Sequence, residues 1–235
     1  MKPHRIVTGG VLLCLASPAL AAIGNPQFAS EVTRTALILG LLAILPSMVI
    51  ATTSFLRIVI VLAMVRHAFG MPQTPPNAVL TTLALFMSAF LMQPTLDAVN
   101  QGALQPFLDG KIGIEQAMER SADPLKTFML AHTKESDIEM VHAIARSPLP
   151  DSPQELSLTK LIPAFMLNEL RVAFTIGFVV LLPFLLIDLV VSSILLALGM
   201  MMVPPATISL PIKVLMFVLI DGWSLIMQGL LGSFG

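Results

Sequence analysis

The stretch that decides the fold is "AFTIGFVVLLPFLLIDLVVSSILLALGMMMVPPATISLPIKVLMFVLIDGW", residues 173–223. Its first part, Ala173 to Val203, is about 30 residues of almost unbroken apolar sequence. A double proline, Pro204–Pro205, then forces a turn, and a second apolar run resumes at Ile208 and continues to Phe234. A bilayer needs about 20 apolar residues per helical span, so the pattern predicts two apolar helices joined as a hairpin. Three methionines, Met200, Met201 and Met202, stand at the joint between Gly199 and the prolines. Methionine has a flexible, polarizable side chain that fills irregular space. On a helix, successive residues are turned by about 100°, so three in a row cannot all point into one seam, and some must face lipid, another subunit or an opening.

The same pattern occurs once more. An apolar block from Thr35 to Val65 breaks at "RHAFGMPQTPP", residues 66–76, and a further run spans Ala78 to Met92. Glycine and clustered prolines mark that break as a turn. Between the two oily halves lies a polar block. Of the 27 acidic and basic residues, 18 fall between Asp97 and Arg171. Within it, Asp123–Pro124 reads as a cap and first turn for "DPLKTFMLAHT". "SDIEMVHAIAR" reads as a helix capped by Ser136 or Asp137, with Ile138, Val141, Ile144 and Ala145 on one face. "SPLPDSPQELS" reads as a loop. The fold class that follows is an all-α membrane protein: two broken, kinked helical hairpins flanking a small helical periplasmic block. Its expected divisions are 1–21, 22–96, 97–171 and 172–235.

Composition agrees. The chain is 56% hydrophobic and 11% charged, with mean hydropathy +0.88, against about 25% charged residues in ordinary soluble domains. A net charge of −1 gives no reason to expect nucleic-acid binding. The one cysteine, Cys14, lies in "MKPHRIVTGGVLLCLASPALAA". That segment has a basic start, a short apolar middle and small residues at Ala19 and Ala21, the pattern of a secretory signal cleaved after Ala21. Arg66 and Arg57, in and beside the first turn, place that turn in the cytoplasm by the positive-inside rule. The polar block is then periplasmic.

Some features fit a simple four-span bundle badly. Pro46, Pro183 and Pro211 interrupt three of the apolar runs, and Arg57, Asp188, Lys213 and Asp221 lie in otherwise apolar sequence. Charges in lipid are costly and normally face protein or water, so they are expected to serve assembly or gating. Asp188 and Asp221 each lie about 24 Å along a helix from the Pro204–Pro205 turn. In a straight hairpin they reach one depth, which opens a proton-relay or shared-proton reading. Pairing with a neighbouring group is the favoured alternative, with Arg57 or a partner chain supplying the cation. Enzyme and cofactor chemistry finds little support: there is no phosphate loop, no H-E-x-x-H pair, no cysteine nucleophile and no metal-ligand spacing. His132 and His142 read as solvated helix residues.

"LIPAFMLNELRVAFTIGFVVLLPFLLIDLVVSSILLALGMMMVPPATISLPIKVLMFVLIDGW", residues 161–223, together with "TSFLRIVIVLAMVRHAFGMPQTPPNAVLTTLALF", residues 53–86, resembles the FliP family of flagellar type III export-gate proteins. Related subunits occur in virulence injectisomes. The resemblance implies no enzyme but a pore-forming subunit of the bacterial inner membrane, multi-pass, within the flagellar basal body. It implies several copies, five in the family, assembled with FliQ and FliR and other export-apparatus membrane proteins around a channel for unfolded flagellar substrates. The family's methionine constriction maps onto Met200, Met201 and Met202, with Gly199, Pro204 and Pro205 as the turn that presents it. A proton-coupled transporter using Asp188 and Asp221 is the alternative from another class.

Overall fold

The computed structural model describes residues 26–71, 73–150 and 152–234; the expected signal segment lies outside them. The regular structure of the described residues is all helical, with no strand among them. They form two compact units, divided between Met48 and Val49. The first unit consists of most of helix α1, Pro26–Thr52.

The second unit holds the rest. α2 is Phe55–Ala68, α3 Asn77–Leu91 and α4 Gln93–Val99; a wider turn, Asn100–Leu104, leads into the short α5, Gln105–Leu108. α6 spans Ile114–Ala131 and α7 Glu135–Ile144. A single turn at Pro153–Glu155 precedes α8, Leu158–Ala197, which is followed by α9, Pro205–Leu219, and α10, Gly222–Gly232. Among the described residues, only α8, 40 residues long, is by itself long and apolar enough to cross a membrane. Asn77–Leu91 with Gln93–Leu108 passes the same test as a pair bent by 62°, and α9 with α10 as a pair bent by 66°.

The breaks do not fall where the prolines predicted. α1 runs through Pro46, α8 through Pro163 and Pro183, α9 through Pro211 and α6 through Pro124. A proline removes one amide donor and pushes against the preceding turn. A helix can accommodate that defect and continue. Asp123–Pro124 therefore starts no helix. The interruptions come instead at Thr53–Ser54, at Met92 and at Ile220–Asp221. Asp221 has a left-handed backbone (φ 48°, ψ 55°), and a Cβ on the following Gly222 would lie 2.2 Å from the Phe217 ring. The sequence Asp-Gly at this elbow is thus set by backbone geometry and by the ring beneath it.

The core of this unit forms around α2. Ile58, Val61, Leu62 and Val65 recur at helical spacing and are completely buried, a stripe facing one side. They pack with Leu80 and Ala84 of α3, Ala173 and Phe184 of α8, Phe217 of α9, and Ile226 and Leu230 of α10. Close approach of α2 and α8 needs Gly177: a Cβ there would meet the Met64 sulfur at 2.2 Å. A second, smaller cluster joins Met129 of α6 to Leu161 and Phe165 of α8. α7 docks on α8 by Asp137, whose buried carboxylate receives two hydrogen bonds from Arg171, at 2.6 and 2.9 Å.

That docking corrects the reading of α7. The helix begins at Glu135, after Lys134, and Asp137 is a buried ion-pair partner rather than a cap. Its inward face carries Asp137, Ile138, Val141 and His142, while Ile144 and Ala145 are exposed. The histidines are not solvated either. His142 is buried and bonded to the Pro148 carbonyl at 2.9 Å, and His132 is half-buried.

Candidate functional site

The methionine run lies beyond the helix, in the turn between α8 and α9. Gly199 adopts φ +73°, and two hydrogen bonds close the helix end around it. The Gly199 amide donates to the Leu196 carbonyl at 3.0 Å, and the Met200 amide to the Leu195 carbonyl at 2.9 Å. This pair of bonds, with a left-handed glycine between them, is the Schellman ending of a helix. Nothing lies within 4 Å of a Cβ placed at Gly199. Its role is therefore conformational freedom rather than close backbone approach.

A tight turn follows, in which the Val203 amide donates to the Met200 carbonyl at 3.3 Å. Met201 and Met202 occupy its tip. Pro204 is extended (φ −63°, ψ 122°) and Pro205 opens α9, where a missing amide costs nothing. The Thr207 amide and hydroxyl both donate to the Pro204 carbonyl, at 3.1 and 2.8 Å. The result is a rigid frame around a short exposed arc. Relative exposure rises along the run, from 44% at Met200 to 80% at Met201 and 96% at Met202. Because the three are not on a helix, the 100° argument against a shared direction does not apply to them.

Two charge clusters support the helices behind this turn. In the first, Lys213 of α9 donates to the Asp188 carboxylate of α8 at 2.6 Å and to the Ala68 carbonyl at 3.2 Å. Ala68 is the last residue of α2, where carbonyls lack helical partners and a cation is favoured. One ammonium thus fastens three helices. Asp188 takes its cation from Lys213, while Arg57, one of the cations the sequence offered to Asp221, is engaged by Glu169. Asp221 lies eight residues beyond Lys213, at the 66° bend. Asp188 is paired at the level of Lys213 instead.

Arg57 serves a different carboxylate. Its guanidinium grips Glu169 of α8 with Nε and Nη2, the Nε bond being 2.8 Å. Both residues are withdrawn from solvent, at 2% and 0% exposure. Nη1 donates to the carbonyl and hydroxyl of Ser233, at 2.7 and 2.9 Å, and the guanidinium carbon stands 3.7 Å from the centre of the Phe234 ring. Arg57 lies in the first turn of α2, where the helix dipole disfavours a cation. A bidentate carboxylate and an aromatic face offset that cost. Glu169 was missed by a search for charges inside apolar runs, because the polar block was taken to extend through Arg171. A better signal was present: Leu161, Ala164, Phe165 and Asn168 lead to Glu169 along one helical stripe, and all five are buried.

Among the described residues, no group of three His, Cys, Asp or Glu side chains is arranged to hold a metal. The chemistry on offer is apolar surface at a rigid turn, with Arg57 paired to Glu169 and Lys213 to Asp188.

Residues 38–230 match the FliP family. The chain is 44% identical over 210 residues to the flagellar biosynthetic protein FliP of Bacillus subtilis, covering 89% of this chain and 95% of the relative. It is 48% identical over 201 residues to the protein of that name from Pectobacterium carotovorum, covering 86% and 78%. With the one from Aquifex aeolicus it shares 40% over 231 residues, covering 97% and 96%. The chain belongs to the FliP family.

Proposed function

We propose that this chain is a core pore-forming subunit of the flagellar type III protein export gate. It conducts unfolded flagellar proteins across the bacterial inner membrane and limits leakage by a constriction made of Met200, Met201 and Met202. The observation that carries this reading is the exposure of those methionines at the tip of a rigid turn between two apolar helices. Large apolar side chains left uncovered in such a place call for a partner surface or an opening. A seal around varied unfolded chains must be apolar to oppose ions and deformable to fit many side chains, and methionine offers both. The relatives' shared name, flagellar biosynthetic protein, supports the flagellar export apparatus over the injectisome.

In this reading the chain is multi-pass, its bent helix pairs completing spans that only α8 makes alone. The polar region from Asp97 to Arg171 faces the periplasm and the Arg66 turn the cytoplasm. Several copies, five in the family, assemble with FliQ and FliR, so that the methionine turns form a ring. The Lys213–Asp188 bond weakens the transporter alternative, because a carboxylate already neutralised by an ammonium has less need of a transported proton. Electron micrographs of the protein purified from membranes together with FliQ and FliR test the assembly. A tapered multi-subunit ring is expected, and isolated single copies would overturn the reading.

A further inference from the structure

We infer that Met201 and Met202 are a peroxide-sensitive modification site: oxidation of their thioethers to sulfoxides wets the turn and opens the seal. The inference rests on the constriction proposed above. Oxidation of a methionine follows the exposure of its sulfur. Met201 and Met202 are the two most exposed methionines among the described residues, whereas Met92 and Met129 are buried in the helical packing. Hydrogen peroxide is uncharged and close to water in size, so it can approach an opening that resists ions.

The step needs one co-reactant, a peroxide. A sulfur lone pair attacks one peroxide oxygen, the O–O bond breaks, a sulfur–oxygen bond forms, and the second oxygen leaves as water after proton transfer. Methionine loses two electrons and the peroxide gains them. The product places a polar, hydrogen-bond-accepting oxygen where a flexible apolar chain stood.

The surroundings decide the consequence. An acceptor held in an apolar place without a donor is costly, and the side chains of the turn offer no free donor. Leu198, Val203 and Ile208 have none, and the Thr207 hydroxyl already donates to the Pro204 carbonyl. Water supplies the donor instead, and the constriction loses the dryness on which it depends. The turn itself survives. The bonds that hold it run between backbone groups and through Thr207, and none uses a sulfur. Oxidation therefore changes the polarity of the seal without unfolding its frame.

The test uses the complex copurified with FliQ and FliR, reconstituted in liposomes loaded with a small fluorescent solute and treated with hydrogen peroxide. Peptide mass spectrometry should show Met201 and Met202 oxidised about tenfold faster than Met92 and Met129. Solute efflux should rise about tenfold, the scale on which one polar group changes a site's preference for water. The variant Met200→Leu/Met201→Leu/Met202→Leu keeps Met118 and Met140, which are exposed in the polar region, and it should show no rise over its own untreated efflux. Resistance of Met201 and Met202 to peroxide, efflux unchanged once they are oxidised, or an equal rise in the triple-leucine variant would each overturn the inference. The variant Met200→Ala/Met201→Ala/Met202→Ala separates the two readings. If it leaks while the oxidised parent stays tight, the constriction stands and the oxidation site falls. If it also stays tight, the constriction falls and the inference falls with it.

Discussion

Replacing Glu169 by leucine leaves the Arg57 guanidinium without its carboxylate in a place closed to solvent. Removing one partner of a buried ion pair costs about 3–5 kcal/mol, because the remaining charge is uncompensated. At 1.4 kcal/mol per factor of ten, the folded population relative to the unfolded falls by roughly 10² to 10³·⁵. Arg57→Leu should cost more. It strands Glu169 and also frees the Ser233 carbonyl and hydroxyl and the Phe234 ring, each lost hydrogen bond adding about 0.5–1.5 kcal/mol. The double variant Arg57→Leu/Glu169→Leu removes both charges and should recover much of the loss, giving a coupling of at least about 2 kcal/mol. The assay is equilibrium unfolding of the full chain in mixed micelles by added SDS. It can be followed by the fluorescence of Trp223, the sole tryptophan, which stacks edge-on against Phe217 at 5.4 Å. Single variants within about 0.5 kcal/mol of the parent, or a double variant as unstable as the sum of the singles, would refute the reasoning.

Gly199→Ala forces a side chain into a left-handed backbone and should destabilise by about 1–2 kcal/mol in the same assay. Gly199→Asn should be milder, since asparagine tolerates that conformation. Gly177→Val should overpack the α2–α8 crossing and cost about 1–3 kcal/mol, with Met64→Ala relieving part of it; no relief would mean that the methionine is not the obstacle. A reporter fused near His132 should give a periplasmic signal, and a cytoplasmic one would invert the proposed orientation.

Much of this architecture was legible because its signals are local. Gly70 and the prolines from 72 to 76 announced the turn before α3, and Gly199 with Pro204–Pro205 announced the turn before α9; backbone chemistry alone produces both. The helix breaks at Thr53–Ser54 and Ile220–Asp221 were hidden, because neither dipeptide outranks Pro46 or Pro211 as a breaker in isolation. At the first of these, Ser54 is buried and hydrogen-bonded to Ser88, 34 residues away, a contact that local sequence does not show. The ion pairs were hidden for the same reason. Arg57 and Glu169 are 112 residues apart, and nothing in either local context names the other. Lys213 and Asp188 are 25 apart and were separable only once the hairpin register was known. The histidines were misread because polar composition was taken for exposure, whereas His132 and His142 both serve backbone carbonyls at helix ends.

The proposed seal is tested most directly by permeability. With Met200, Met201 and Met202 all replaced by alanine, the turn keeps its glycine and prolines, and the assembled complex should form in normal amount. The side chains that fill the opening are then cut back. Cells carrying this complex should leak small ions or solutes, measured as conductance or solute uptake, while a single methionine-to-leucine change should leak far less. Unchanged permeability, with the complex shown to be present at its usual level, would contradict the constriction and leave the methionines as packing alone.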